Sequence, residues 1–206
     1  NPDSAAYNIG VARRIRAAID VPALTRAWQL LAERHESLRT EFSQTQGEPA
    51  QSARGDVRID VEQVNAAGWT DEDLSAQVAA SYRRPFDLAM APLLRVTLFT
   101  SSPRDHVLLV TIHHIIADAL SCWTLFEELR TLYAWQCGDV NGPKPALARP
   151  SATCREFVSW QQQLLRGPGG ERLWSYWRQQ LTGQLPGRDL PADRLRPPAQ
   201  DRGGAP

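Results

Sequence analysis

Two adjacent histidines, His113 and His114, close an apolar run, and Asp118 follows four residues after the second, in the segment LLVTIHHIIADALSCW at 108–123. Imidazole is the side chain whose ordinary pKa lies nearest neutrality, and a position where buried β-structure gives way to a loop suits proton transfer. Neighbouring strand residues point to opposite faces, so both rings cannot address one ligand while the strand stays regular. One ring is inward and structural; the other is available. Parity groups His114 with Ile112, Val110 and Leu108, and His113 with Thr111 and Leu109, without saying which row meets substrate. The competing reading makes both rings satisfied core residues. Asp118 weighs against it, because a carboxylate at that bend can receive a local backbone N–H or pair with a distant arginine.

Other chemistries fit the segment less well. Zinc needs three or four converging ligands, whereas His106, His113, His114 and Asp118 lie on different faces or levels of one segment, so no metal site is expected. No serine or cysteine forms a recognisable nucleophile elbow beside His114, which favours direct transfer over an acyl-enzyme. Ser121 and Cys122 instead fall in the first turn of the next helix. A second polar cluster, 34–40, lies where the first long helix ends. There Arg34 and Glu36 read as solvated and His35 lies near the apolar stripe, but Arg39 has the fork to clamp Asp118 if the two elements meet, an architectural pairing.

The net charge is 0, from 23 Lys+Arg against 23 Asp+Glu, and no basic stripe with interleaved aromatics occurs, so no nucleic-acid partner is expected. Three cysteines, Cys122, Cys137 and Cys154, lack metal-knuckle spacing and read as thiols in a reducing compartment. The longest apolar run, 107–112, is too short to cross a bilayer, and the opening residues lack a charged region followed by an apolar one. A cytoplasmic protein without membrane contact is the expectation.

The elements that must hold these residues follow from periodicity and caps. A strand spans 8–17, and the abrupt start suggests that something upstream is missing. Asp20 caps a helix whose face is Leu24, Trp28, Leu31 and His35, running to about 35 or 38. A hairpin turns around Gly47, and Val57, Ile59 and Val61 suggest another strand. Thr70 and Asp73 form a capping box for a helix that Pro85 ends. Strands at 93–99 and 106–114 form an antiparallel hairpin, the second interior because it is apolar at nearly every position. Ser121 caps a helix to about Cys137, a Gly/Pro/Ala-rich loop covers 138–150, and two helices follow around Trp160 and Trp174. From Gly183 onward, Pro, Gly, Arg and Asp dominate, which reads as extended chain without its own core.

The chain resembles the condensation domains of nonribosomal peptide synthetases, within the chloramphenicol acetyltransferase-like superfamily. That family's hallmark, two histidines, three variable residues and Asp-Gly, stands as His113-His114-Ile115-Ile116-Ala117-Asp118-Ala119. A second hallmark stands as Arg34-His35-Glu36-x-Leu38-Arg39-Thr40. Further matches are Ala6-Tyr7-Asn8-Ile9, Pro85-Phe86-Asp87-Leu88, Pro92-Leu93-Leu94-Arg95 and Leu190-Pro191-Ala192-Asp193-Arg194-x-Arg196-Pro197, so the resemblance covers nearly the whole chain.

The resemblance implies an α/β lobe with a mixed, mainly antiparallel sheet packed with helices, half of a two-lobe domain. Residues 1–182 are then the N-terminal lobe with its upstream edge truncated, and 183–206 the crossover toward a missing C-terminal lobe. The implied activity is amide-bond formation between a carrier-bound acyl or peptidyl thioester and a carrier-bound aminoacyl acceptor. It implies His114 as the active-site histidine, His113 as its support and Asp118 paired with Arg39. No cofactor is bound directly; substrates ride on the phosphopantetheine of upstream and downstream peptidyl carrier proteins, with an adenylation domain in the same assembly line. The alternatives are an epimerization lobe using the same motif for proton exchange at Cα, and a noncatalytic lobe that docks a carrier protein or partner enzyme. Two positions depart from the family: Ala119 replaces the glycine, a cost of about 1 kcal/mol if the backbone there is left-handed, and Leu120 replaces a frequent tryptophan.

Overall fold

The computed structural model describes residues 4–138, 142–148 and 150–183. The chain divides into two compact units, one through Phe157 and one from Val158. The first is built on a four-stranded sheet of order β1-β6-β5-β4, from β1 (Asn8–Ile15), β4 (Val61–Asn65), β5 (Leu94–Ser102) and β6 (Asp105–His113). β6 is antiparallel to β1 and β5, while β4 runs parallel to β5, which makes the sheet mixed and mainly antiparallel, as expected. A separate hairpin pairs β2 (Thr40–Thr45) with β3 (Glu48–Ala53), turning through Gln46 and Gly47, both at positive φ.

Period-two alternation divides β5 and β6 between two apolar layers. Val96, Leu98, Leu108, Val110 and Ile112 join the larger core with α1 (Val21–Arg34) and α3 (Ala119–Cys137). Phe99 and Leu109 face the other way, with Leu74 of α2 (Asp71–Tyr82). Covered on both faces and paired on both edges, β6 holds its C-terminal end, and the histidines, in a rigid frame.

The helix caps are local. Asp20 accepts from the Ala23 N–H at 2.8 Å, and Thr70 and Asp73 form the reciprocal box. A close approach fastens α2 to β1: a Cβ on Gly10 would lie 2.5 Å from Cδ2 of Tyr82, so only glycine lets that ring cross the strand.

Several local expectations are corrected. A 3₁₀ turn, Glu36–Arg39, separates α1 from β2. Val57 and Ile59 are buried but precede β4, which starts at Val61. α3 begins earlier than Ser121: Asp118 is its N-cap and accepts from the Ser121 backbone N–H. A side chain three residues ahead reaches that orphan donor, while Ser121 itself sits inside the first turn.

In the second unit, α4 (Cys154–Arg166) continues from the first, and α5 (Pro168–Gln180) follows one residue later. Trp160, Leu165, Trp174 and Trp177 are exposed there. The expected crossover lies, apart from Gly183, outside the described residues.

Candidate active site

β6 ends at His113, and His114 to Ile116 form a turn. Backbone bonds to both neighbouring segments hold this end of the strand: the His113 N–H donates to the Leu93 carbonyl at 3.0 Å, and the His114 N–H to the Tyr7 carbonyl at 2.8 Å. His113 leaves the frame on the face that carries α2, while His114 enters the turn with its side chain exposed. His113 is half-buried, and its Nδ1 accepts from the Ile115 backbone N–H at 3.1 Å. That acceptor role places the proton of the neutral ring on Nε2. Burial, and then the charge of His114, press the His113 pKa below its ordinary value. The His114 ring has no hydrogen-bond partner among the described residues.

Both rings border an open pocket of about 510 Å³ whose walls include Tyr7, Phe86, Leu88 and Ile115. Phe86 meets His113 edge-on, with centroids 6.1 Å apart at 85°, and Tyr7 lies at the same separation with a 42° tilt. Buried Phe86 supplies an apolar wall. The result is one engaged, neutral imidazole and one imidazole presented to a cavity, an arrangement that can accept or position a proton on a bound nucleophile.

Asp118 and Arg39 do not meet. Asp118 Oδ1 accepts from both the Ser121 N–H, at 2.8 Å, and the Ser121 hydroxyl, at 2.7 Å, which hold the carboxyl below its usual range. Arg39 Nε donates to the Ala32 carbonyl at 2.7 Å, and its Nη1 to the Arg54 carbonyl. The expected ion pair is thus replaced by two local arrangements: the carboxylate satisfies a helix N-terminus, and the guanidinium ties α1 to the residue that follows β3. Ala119 is not left-handed; Gln46 is the non-glycine residue with positive φ among the described residues, so alanine there carries no backbone cost.

The neighbouring cluster is structural and more connected than solvated side chains would be. Glu128 Oε2 faces His35 Nε2 at 2.6 Å and Arg34 Nε at 3.0 Å, joining α1 to α3. Glu36 takes the fork of Arg155, and Arg34 also reaches the Ala148 carbonyl. Periodicity along one segment carries no trace of these partners, which lie about a hundred positions away in sequence. His106 is buried, with Nδ1 3.0 Å from Thr100 Oγ1. Among the described residues, no His, Cys, Asp or Glu group could hold a metal, and no helix is long and apolar enough to cross a membrane.

The family model "Condensation domain" matches residues 1–204. The chain belongs to the condensation domain family. It is a domain of the nonribosomal peptide synthetase type with the chloramphenicol acetyltransferase-like fold. It is 35% identical over 209 residues to a linear gramicidin synthase of Brevibacillus parabrevis, covering 99% of this chain and 3% of that protein. It is 34% identical over 199 residues to a plipastatin synthase of Bacillus subtilis (strain 168), covering 96% of this chain and 5% of that one. Among solved structures, the X-domain from teicoplanin biosynthesis, in complex with OxyB, is 32% identical with a TM-score of 0.78. That match covers 96% of this condensation domain chain and 43% of the solved one, so the chain spans less than half of a complete structural relative.

Proposed function

We propose that this chain supplies the histidine-bearing lobe of a two-lobe domain that joins a carrier-bound acyl or peptidyl thioester to a carrier-bound aminoacyl group. One observation carries the reading: His114 presents a ring without a protein hydrogen bond to an open pocket, while adjacent His113 is engaged. In the reaction, the acceptor amine attacks the thioester carbonyl carbon, the C–N bond forms and the C–S bond breaks. The amine gives up one proton and the departing phosphopantetheine thiolate takes one. α-Amino groups have an ordinary pKa of about 7.7–8.0, so a substantial neutral fraction attacks without prior deprotonation. His114 accepts the proton released as the tetrahedral adduct forms, or holds the amine toward the carbonyl, roles worth about 10²–10⁴ in rate as a base. His113, neutral and inward, supports the turn. An adenylation domain loads the carriers.

The test is the complete two-lobe domain supplied with both loaded carriers. Amide product that falls about 10²-fold or more in His114→Ala is the expected result; undiminished product from that variant would overturn it. Inversion at Cα on a single carrier, without amide formation, would instead mark an epimerization domain.

A docking reading has one observation in its favour: the 32% identical X-domain was solved bound to OxyB. The presence of His113 and His114 together on one open pocket favours chemistry over docking alone. Binding of a partner enzyme with no amide product would reverse that preference.

A further inference from the structure

Behind His113 lies a knot of side chains outside the hallmark motifs that contain the histidines. Asn8, opposite His113 in the β1–β6 register, donates through Nδ2 to the carbonyls of Tyr82, at 2.7 Å, and Arg84, at 3.0 Å. The Tyr82 hydroxyl returns a bond to the Asn8 carbonyl at 2.9 Å. Arg95 adds its fork: Nη1 donates to the Arg84 carbonyl at 2.8 Å and Nη2 to the Pro85 carbonyl. The carbonyls of the segment that leaves α2 are thereby gathered onto the sheet. The same guanidinium lies 3.7 Å over the ring of Phe86, which stands nearly perpendicular to the His113 ring.

Arg95 is an unusual choice for that place. It is half-buried, makes no ion pair among the described residues, and burial together with the charge of Arg84 lowers its pKa. A purely apolar side chain would fill the space without that desolvation, but only a planar fork can bind two carbonyls and cover an aromatic face together.

Resting on the reading of His114 given above, we infer that Arg95 is a positioning residue of this site. It fixes Pro85-Phe86, Phe86 fixes the His113 ring, and the His113 Nδ1 acceptor holds the Ile115 N–H and hence the turn that aims His114. Nothing in this relay touches substrate. A tilt of the His113 ring that weakens the Ile115 bond leaves the turn free to sample other directions.

The test uses the complete two-lobe domain with ¹⁵N-labelled histidine and two variants, Arg95→Met and Phe86→Leu. In the unmodified protein, His113 is expected as the Nε2–H tautomer alone at pH 8. In R95M, with a cooperative thermal melt retained, His113 is expected as a tautomer mixture, and kcat is expected to fall about 10–100-fold while KM moves less than about twofold. F86L, which leaves both carbonyl bonds of Arg95 in place, is expected to reproduce the tautomer change, and the double variant to be no worse than the stronger single one. It carries the test alone if R95M does not fold. A single unchanged tautomer in both variants, or losses that multiply in the double variant, would overturn the relay. The tautomer readout needs no turnover, so failure of the relay is separable from failure of the condensation reading, which shows as undiminished amide formation by H114A.

Discussion

Asp118 and Ser121 satisfy each other across the first turn of α3, the carboxylate Oδ1 accepting from both the backbone N–H and the hydroxyl of Ser121. The acidic member of the histidine motif therefore sets where the helix begins, and with it the length of the turn between His113 and α3. Arg39, on the carbonyls of Ala32 and Arg54, stabilises another corner of the lobe.

Removing either side chain should therefore act independently. Asp118→Ala and Arg39→Ala are each expected to lower the urea midpoint, with the double variant showing the sum. A double variant no worse than one single would reveal a coupling that the geometry does not contain. Because Ser121 holds the Asp118 carboxyl below its ordinary range, this contribution is present above the unfolded value of about 3.9 and lost as pH falls through the folded value.

His113 should make stability fall on mild acidification. Its folded pKa is lowered by burial first and the charge of His114 second. Below the unfolded value of about 6.5, the unfolded chain binds more protons than the folded one. The contribution is thus complete above that pH and declines as pH drops toward the folded value. Urea midpoints between about pH 8 and 5 should show a steeper decline for the unmodified protein than for His113→Asn; parallel curves would contradict it.

Gly10→Ala places a methyl 2.5 Å from Cδ2 of Tyr82. Overpacking of this kind costs about 1–3 kcal/mol, measured by chemical denaturation. The cost should shrink in the Tyr82→Leu background, where no ring crosses the strand. Equal costs in both backgrounds would show that the contact is not the cause.

Glu128→Gln removes the charge shared by Arg34 and His35, whose side chains are about one-fifth exposed, as against 13% for Glu128. The expected loss is about 1–3 kcal/mol. Arg130→Ala, which breaks the exposed pair with Glu127, should cost less than about 0.5 kcal/mol. Similar losses would mean that burial does not strengthen the Glu128 cluster.

The sequence by itself determined the parts that depend on neighbours a few residues apart. The unbroken apolar run of β6 implied an interior strand, and the caps at Asp20 and Thr70 started their helices where expected, whereas His114 falls in the turn beyond β6, so period two does not govern it and both histidines line one pocket. Only the tertiary structure decided the long-range partners. Asp118 had two satisfactory uses, and the near one won because Ser121 is always within reach whereas Arg39 requires two distant elements to converge. Likewise, the parallel placement of β4, the Glu128 cluster and the Arg95–Phe86–His113 contact depend on where separate segments come to rest. Backbone periodicity is written residue by residue; the reach of a guanidinium or a ring becomes specific only once the sheet and helices have brought its partner within a few ångströms.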